Sequence, residues 1–595
     1  MRATGPYSAA LRRGSMSVPS PVATETAVAP PPAPPPASPA LVDAQRAGRI
    51  ARGVAALGGL GWFLAFLGGA RVVPPTNIEW MMRDDWAGHL FGWLFYRNAP
   101  WGLPLTLTPN HFRPYGTTVA LNDGNPLWAV VLKPFEGLLP ADFQYTGLWL
   151  ALCFALMGWF GARLVECVSS RPVHQALGGL LFALSPPLVA RFLHPTLCAH
   201  WLVVAMLWLN LRALPDRDAA RRAVLLALLF NALGSGTHPY LVAMLVPLAL
   251  ALLTRLALER VLSWWEALAA AAAVLAVDLL LFAALGYFHG ASLGAEGFGD
   301  FAADLSTLFN SQGWSRHVPG LPATWRQHEG FGFLGVGVLG LWAAGLVAAA
   351  PRLLRRWDVP WRKALPLGVV VAGMAVYALS WRVAWKTEQV LDLGWLYASV
   401  PRLTSAFRAS GRFIWPLTYL LMLGAVGLWA WRWRARPWVV TAALVVAVGA
   451  SAADLRTEKS ALLLPTHLRR LQAPEWARLE EGGYRNLVLF PPHIQWVCPY
   501  DEQLVNTLSY FAYRHRLTFN SGNASRLPPT VSQDCHMTMR PGGLERDTVY
   551  VVAARELPGF LAAGARCGVL EGLPVCVDGQ RADGFAQALD QRPLR

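Results

Sequence analysis

Runs of apolar residues, each close to twenty long, recur between about residue 53 and residue 453 of this chain. A helix of that length matches the hydrocarbon thickness of a bilayer. Backbone groups in lipid must be paired within the protein, which leaves helices or closed barrels. The repetition excludes a disordered chain, a coiled coil and an ordinary soluble enzyme. Composition agrees: of 595 residues, 54% are hydrophobic and 15% charged, against roughly 25% charged in soluble domains. The expected fold class is an α-helical polytopic membrane protein with soluble pieces at its ends.

Eleven spans are expected, centred on 53–70, 145–165, 175–193, 198–213, 222–236, 239–256, 267–287, 331–350, 365–382, 412–431 and 438–453. Basic residues alternate between the connections. Arg46, Arg49 and Arg52 precede the first span, and Arg163 with Arg171, the group Arg212 to Arg222, Arg255 with Arg260, the group Arg352 to Lys363, and the group Arg432 to Arg436 follow on the same side. The short connections near 194–197 and 235–239 have none. The positive-inside rule puts the N-terminus in the cytoplasm and the C-terminus outside. It also accounts for the net charge of +15 without a nucleic-acid partner.

The Pro/Ala-rich segment 1–45 holds no apolar core and is expected to be a disordered cytoplasmic tail. Residues 46–456 form the transmembrane domain, with external loops at 71–144, 288–330 and 383–411. Within the first loop, 85–96 and 125–140 are too short or too polar to span and are expected to lie as interfacial helices. From 457 to 595, short β-like runs at 487–492, 517–520, 548–554 and 568–578 alternate with helical pieces such as 499–514, which predicts a small external α/β domain. Four of the seven cysteines, Cys498, Cys535, Cys567 and Cys576, fall in it. An even count in an oxidising compartment points to disulfides. Three pairings exist; Cys567–Cys576 as a hairpin clamp with Cys498–Cys535 is favoured, and four reduced buried thiols are the alternative.

Of thirteen histidines, only His174 maps to the cytoplasmic side. Eight map to the outer rim: His89, His111, His194, His200, His238, His289, His317 and His328. Each alone also reads as an interfacial packing residue, but as a set they turn the chemistry outward. Asp84 and Asp85 open the first interfacial helix, where a helix N-terminus favours a carboxylate. Either could be an N-cap, a general base, or a ligand for a hard divalent cation. Asp123 precedes the second interfacial helix as a turn residue, a cap or a substrate contact. Arg408 and Arg412 stand four apart at the outer end of a span, so a helical turn would put them on one face. Two guanidinium forks there suit a phosphate, or snorkel to headgroups. Arg191 is a weaker candidate of the same kind. Asp278 lies inside a span and is a functional candidate on that ground. Asn523-Ala524-Ser525 is a formal glycosylation sequon of a kind common by chance.

With these residues in hand, the chain resembles the GT-C class of membrane glycosyltransferases. The resemblance rests on Asp84-Asp85 near the start of a long first external loop, Trp86, Phe95-Tyr96, Pro100-Trp101-Gly102-Leu103-Pro104 and Asn125-Pro126-Leu127. In the last of these, Asn-Pro stands where protein mannosyltransferases have His-Pro-Pro. Arg408-Ala-Ser-Gly-Arg412-Phe413, with Ala199-His200-Trp201 and His238-Pro239-Tyr240, resembles a bacterial membrane family of this type with no assigned substrate. The resemblance implies a polyprenyl-phosphate sugar as donor, a glycan or lipid acceptor, membrane lipid as surroundings, and inversion by single displacement on the outer face of the bacterial inner membrane. Asp84 or Asp85 would be the base. Arg408 and Arg412, helped by His194, His200 or His238, would hold the donor phosphate. His89 and Asp123 would contact substrate. No cofactor is required, and a divalent metal is compatible with this chemistry. The alternatives are a flippase of lipid-linked sugars, for which the spans carry few polar residues and no internal repeat, and a non-catalytic scaffold.

Overall fold

The computed structural model describes residues 39–289, 296–353, 361–494, 498, 500–524, 526 and 535–594. Most of the segment 1–45 lies outside them. Its last part is helical, however: the first helix, α1, runs Pro39–Phe66. The helices that follow include α2 (Asp84–Asn98), α3 (Pro126–Leu132), α4 (Thr146–Glu166), α5 (Pro172–Ala183), α6 (His200–Leu211), α7 (Arg217–Ser235), α8 (Pro239–Leu258), α9 (Trp264–Leu285), α10 (Val336–Leu353), α11 (Trp361–Leu379), α12 (Trp415–Arg432), α13 (Pro437–Asp454) and, in the tail, α14 (Glu502–Arg514).

A helix overlaps each of the eleven expected spans, but among the described residues length and composition qualify six segments to cross a membrane: Thr146–Glu166, Pro239–Leu258, Trp264–Leu285, Arg362–Leu379, Ser410–Arg432 and Pro437–Asp454. The others fall short for physical reasons. Helices α5 and α6 have 12 residues each, about 18 Å at 1.5 Å per residue against roughly 30 Å of hydrocarbon. Helix α7 opens on Arg217, Asp218, Arg221 and Arg222. Its start is set by Asp216, whose carboxylate accepts the Ala219 N–H at 2.7 Å. Helix α9 starts with a capping box between Ser263 and Glu266.

Helix α2 departs from the interfacial expectation. Nearly every residue from Trp86 to Arg97 is buried, so it is an interior helix with protein on all sides. Trp86 and Trp93 are anchored through their indole N–H groups to the carbonyls of Phe192 (2.6 Å) and Phe143 (2.9 Å). A buried Trp of this kind is worth about 3–5 kcal/mol against Ala. Helix α3 keeps the amphipathic character expected of it, with Ala129 buried and Val131 exposed.

The tail forms a five-stranded mixed sheet. Its strands are β1 (Asn486–Phe490), β2 (Thr518–Phe519), β3 (Thr548–Val552), β4 (Ala565–Leu570) and β5 (Leu573–Asp578), in the order β2-β1-β3-β5-β4. The two pairs involving β1 are parallel and the other two antiparallel. The run 568–578 is thus part of a hairpin, turned at Glu571-Gly572, where both residues have positive φ. Disulfides join Cys498 to Cys535 and Cys567 to Cys576.

The sheet does not end at β2. The Phe519 N–H donates to the Asn110 carbonyl at 2.9 Å, and the Arg113 N–H donates to the Phe519 carbonyl at 3.1 Å. The edge strand is therefore capped by the loop between α2 and α3, which protects it from further pairing. Helix α14 lies against α2. The Glu502 carboxylate accepts the Asp84 backbone N–H, the Asn98 amide donates to the Tyr513 carbonyl at 2.9 Å, and the Tyr510 hydroxyl donates to Asp142 at 2.8 Å. This docking is what buries α2.

Candidate functional site

Six separated segments converge at one end of the helix bundle: the start of α2, the turn before α3, the 191–194 turn, the 238–240 turn that opens α8, the 328–329 turn and the Ser410–Ile414 3-10 turn that leads into α12. Asn523 and Arg526 of the tail reach this end, the first at Asp85 and the second at Ala406. Helix α2 admits two of these neighbours because it presents glycine to them. A Cβ at Gly88 would come within 2.9 Å of the Asn523 carbonyl, and one at Gly92 within 2.8 Å of the Asn122 Cβ.

Within this cluster, Asp123 is the carboxylate held most directly by histidine. His238 Nε2 lies 3.1 Å from its Oδ1, and His238 Nδ1 accepts the Tyr240 backbone N–H at 3.1 Å. A backbone N–H can only donate, so Nδ1 carries no proton and His238 is the neutral Nε2–H tautomer. The same bond caps α8, whose N1 residue is Pro239. This is the local reason for the His-Pro pair. Burial weighs against a charged His238 and holds its pKa below the ordinary value. Burial also works against an ionised Asp123, but the His238 donor and the neighbouring His89 and His194 outweigh it and hold the carboxyl well below the usual range. His89 donates through Nδ1 to the Asp123 backbone carbonyl, and burial lowers its pKa too. Asp123 and Asn125 have φ of 60° and 52°, left-handed values that Asp and Asn tolerate better than other side chains.

His194 stands between three carboxylates. Its Nδ1 is 3.7 Å from Asp85 and 4.0 Å from Asp123, and its Nε2 is 3.5 Å from Glu329. The two adjacent aspartates part company. Asp85 receives the Asn523 side-chain amide at 3.1 Å and faces His194 while 47% of its side chain stays exposed. Asp84 pairs with Arg83 at 2.7 Å.

Glu329 is buried between two guanidinium groups. Arg191 Nη1 and Arg412 Nε, the latter at 2.8 Å, both meet its Oε2. Burial pushes against its charge, but Arg191, Arg412 and His194 hold it well below the usual carboxylate range. Glycines make this cluster reachable. A Cβ at Gly411 would sit 2.5 Å from the Gly330 Cα, so the 330 and 411 backbones touch and bring Glu329 beside Arg412. Arg412 also lies 4.4 Å over the Tyr240 ring.

Two expectations for this region do not survive. Arg408 and Arg412 share no helical face: a short helix ends at Ala406, and the 3-10 turn begins at Ser410. Arg408 is exposed, donates to the Glu296 carbonyl at 3.0 Å and lies 5.1 Å over Phe301. His200 is not part of the cluster. It is fully buried, with its ring 4.0 Å from Trp415 and its Nδ1 2.5 Å from the Tyr419 hydroxyl. Asp278 is also elsewhere, buried in α9 and accepting the Ser235 hydroxyl at 2.7 Å. Cys498, Cys535, Cys567 and Cys576 serve the tail fold. Among the described residues, no set of three or more His, Cys, Asp or Glu side chains is arranged to hold a metal ion.

Three contributors were not read as site residues from the sequence: Glu329, Asn523 and Arg526. Glu329 follows His328 and, taken by residue type alone, is one loop carboxylate among several. Asn523 stood out only as a sequon. Arg526 donates through Nη2 to the Ala406 carbonyl at 3.0 Å and lies within electrostatic reach of Tyr240, Arg408 and Asp123. Only the tertiary fold brings these tail residues to the rim.

A membrane-length helical bundle with an acidic and basic cluster at one end, covered by a sheet domain, is the class these observations define. Comparison with known families is specific about the lineage. A family described as a domain of unknown function (DUF6311) matches residues 56–456, and the DUF6311 C-terminal domain matches residues 475–578. The chain belongs to the DUF6311 family. No curated protein matches it.

Proposed function

We propose that the cluster is the active site of a GT-C-type glycosyltransferase, which moves a sugar from a polyprenyl-phosphate donor to an envelope glycan or lipid. The reaction would run on the outer face of a bacterial inner membrane, with eleven spans, a cytoplasmic N-terminus and a periplasmic tail. The observation that carries this reading is Asp85: solvent-reached, held by Asn523 at 3.1 Å and 3.7 Å from His194. An exposed carboxylate held in one orientation suits a general base.

In this mechanism Asp85 takes the proton from an acceptor hydroxyl. The hydroxyl oxygen attacks the anomeric carbon of the donor sugar from the face opposite the phosphate. The bond between that carbon and the phosphate oxygen breaks, and the phosphate leaves with the electron pair on the lipid side. Configuration inverts. Asp123 stays ionised and accepts from His238, which holds that imidazole, and His89 with it, against the substrate space. His194 bridges the two aspartates to Glu329. Fixed donors and charges of this kind stabilise charge that develops in the transition state without reorganising. Asp84, drawn to Arg83, is not assigned the base role.

The test is transfer by the full chain in nanodiscs, given labelled polyprenyl-phosphate sugars and extracted envelope glycans. Appearance of label in the glycan, with inverted linkage, is the expected result. Movement of the labelled lipid between leaflets without cleavage would instead make the protein a flippase.

A further inference from the structure

Two open clefts adjoin at the end of the bundle away from the candidate site. Helix α8 starts beside the His238 cap and runs for 20 residues, about 30 Å at 1.5 Å per residue. Its last turn therefore stands about one hydrocarbon thickness from the cluster. There the clefts, of about 700 and 690 Å³, lie between the 213–217 and 255–266 segments and the start of α11, and they share Val261 and Arg362 as a wall. Helices α8 and α9 and the segment Arg362–Leu379 are each long and apolar enough to cross a membrane, so the clefts open where such helices leave the hydrocarbon.

Five cations and two carboxylates line the pair, an excess of positive charge that an anion would balance. Arg217 pairs with Glu266. Arg255 meets Glu259 at 3.2 Å and donates to the carbonyls of Asn210 and Arg212, while Lys363 stands 3.8 Å from Glu259. Arg260 differs from these. It is exposed, and among the described residues no carboxylate pairs with its side chain. The Val261 N–H donates to the Leu256 carbonyl at 3.0 Å and the Arg260 N–H to the Ala257 carbonyl at 3.0 Å, which closes α8 in a Schellman turn. Arg260 takes the left-handed position of that turn, with φ 58°, where glycine is unstrained and the usual residue. A guanidinium held there against backbone preference, over a cleft and without a carboxylate, points to a ligand.

An apolar stripe commits that ligand to a lipid. Trp264 is in the cleft wall, and Trp264, Leu268, Leu275 and Leu279 are all exposed. Their spacing puts them on one face of α9, leading from the cleft along a membrane-length helix. A Trp at the end of such a helix sits at headgroup level. We propose that the paired clefts bind the headgroup of an anionic phospholipid in the leaflet opposite the candidate site, with Arg260 meeting the phosphodiester and the α9 stripe an acyl chain. Basic pockets between spans suit anionic headgroups in this way. The assignment does not depend on the glycosyltransfer reading.

The test is lipid retention by the full chain, released from nanodiscs of phosphatidylglycerol and phosphatidylcholine in equal parts and read by native mass spectrometry. The unaltered protein should keep phosphatidylglycerol in preference. Arg260→Gly should weaken that preference by about fivefold while the unfolding temperature stays the same or rises, because glycine relieves the left-handed turn. Arg222→Gln, at an exposed arginine of the same end that lines neither cleft, should leave the preference intact. Equal retention of the two lipids by the unaltered protein would overturn the proposal, as would an unchanged preference in Arg260→Gly. A fall in stability in Arg260→Gly would make Arg260 part of the fold and overturn it too. An equal loss in Arg222→Gln would reduce the effect to general surface charge and remove the site. Glycerol phosphate that binds as tightly as the lipid would make a soluble phosphate the ligand and overturn the lipid assignment.

Discussion

Two pairs of arginines sit on the same rim and differ in what the fold has done with them. Arg191 and Arg412 are buried around Glu329, an arrangement that locks the 191–194 turn, the 328–329 turn and the start of α12 together. Arg408 and Arg526 meet at the junction between bundle and tail, at or near the surface. The difference teaches that an arginine on this rim is not thereby available to a ligand, because the Glu329 carboxylate is folded against Arg191 and Arg412.

The largest effect should come from breaking the committed pair. Glu329→Gln leaves two buried guanidinium groups facing a neutral amide, and loss of one partner of a buried pair costs about 3–5 kcal/mol. A large fall in thermal stability in detergent is expected, with lipid retention lost only as folding is lost. If Glu329→Gln is as stable as the unaltered protein, the structural role given to Arg191 and Arg412 is wrong.

The next effect sharpens the contrast between neighbours. Asp85→Asn should lower sugar transfer by about 10²–10⁴-fold, the usual contribution of a positioned base. Asp84→Asn should lower it a few-fold at most, since an exposed pair such as Arg83–Asp84 contributes roughly 0–1 kcal/mol. Asn is chosen there because the φ of 48° at Asp84 is one that Asn tolerates. Steady-state transfer rates measure both.

The junction itself should respond to pH. His111 is buried, stacked on Phe95 at 4.4 Å and bridged to Phe519 of the tail. Burial pushes its pKa down to about 3, and a backbone bond at Ser521 only partly opposes this. Unfolded, the imidazole titrates near 6.5. Between about pH 3 and 6.5 the unfolded chain binds the extra proton and the folded one does not, so stability rises with pH through that window. It is complete above about pH 6.5, and a fall from about 6.5 to 5 should cost about 2 kcal/mol. Unfolding followed at several pH values checks this. His111→Phe should flatten the profile over the same window; an unchanged profile would remove His111 as its source.

The smallest effect concerns the strap of the tail. Replacing Cys498 and Cys535 together by Ser should leave the bundle's unfolding unchanged and loosen Asn523. The expected readout is a few-fold slower sugar transfer. An unchanged rate would show that the Asp85 contact holds Asn523 unaided.

Helical periodicity and turn chemistry are local properties, which is why the bundle helices, the helix at 502–514 and the strands of the tail could be read in the chain. Span counts were less legible. Segments such as α5 and α6 are apolar but, at 12 residues each, too short to qualify alone. Helix α2 departs from the interfacial placement expected for 85–96 for a tertiary reason: it packs against α14 and the 110–145 loop. The same limit applies to the site. His194, His238, Asp85 and Asp123 stand out by residue type and by the turns they sit in. Glu329 does not, because its meaning depends on Arg191 and Arg412, 138 and 83 residues away. Asn523 lies 438 residues from the Asp85 it contacts. The four-residue spacing of Arg408 and Arg412 misled because the backbone breaks between them.

The most direct test of the account is a single comparison on purified protein: sugar transfer by the unaltered chain, Asp85→Asn and Asp84→Asn, with polyprenyl-phosphate retention measured on the same samples. The account predicts that Asp85→Asn retains the lipid and loses transfer, while Asp84→Asn keeps most of both. Full transfer by Asp85→Asn would contradict it, and would remove the carboxylate around which the site has been built.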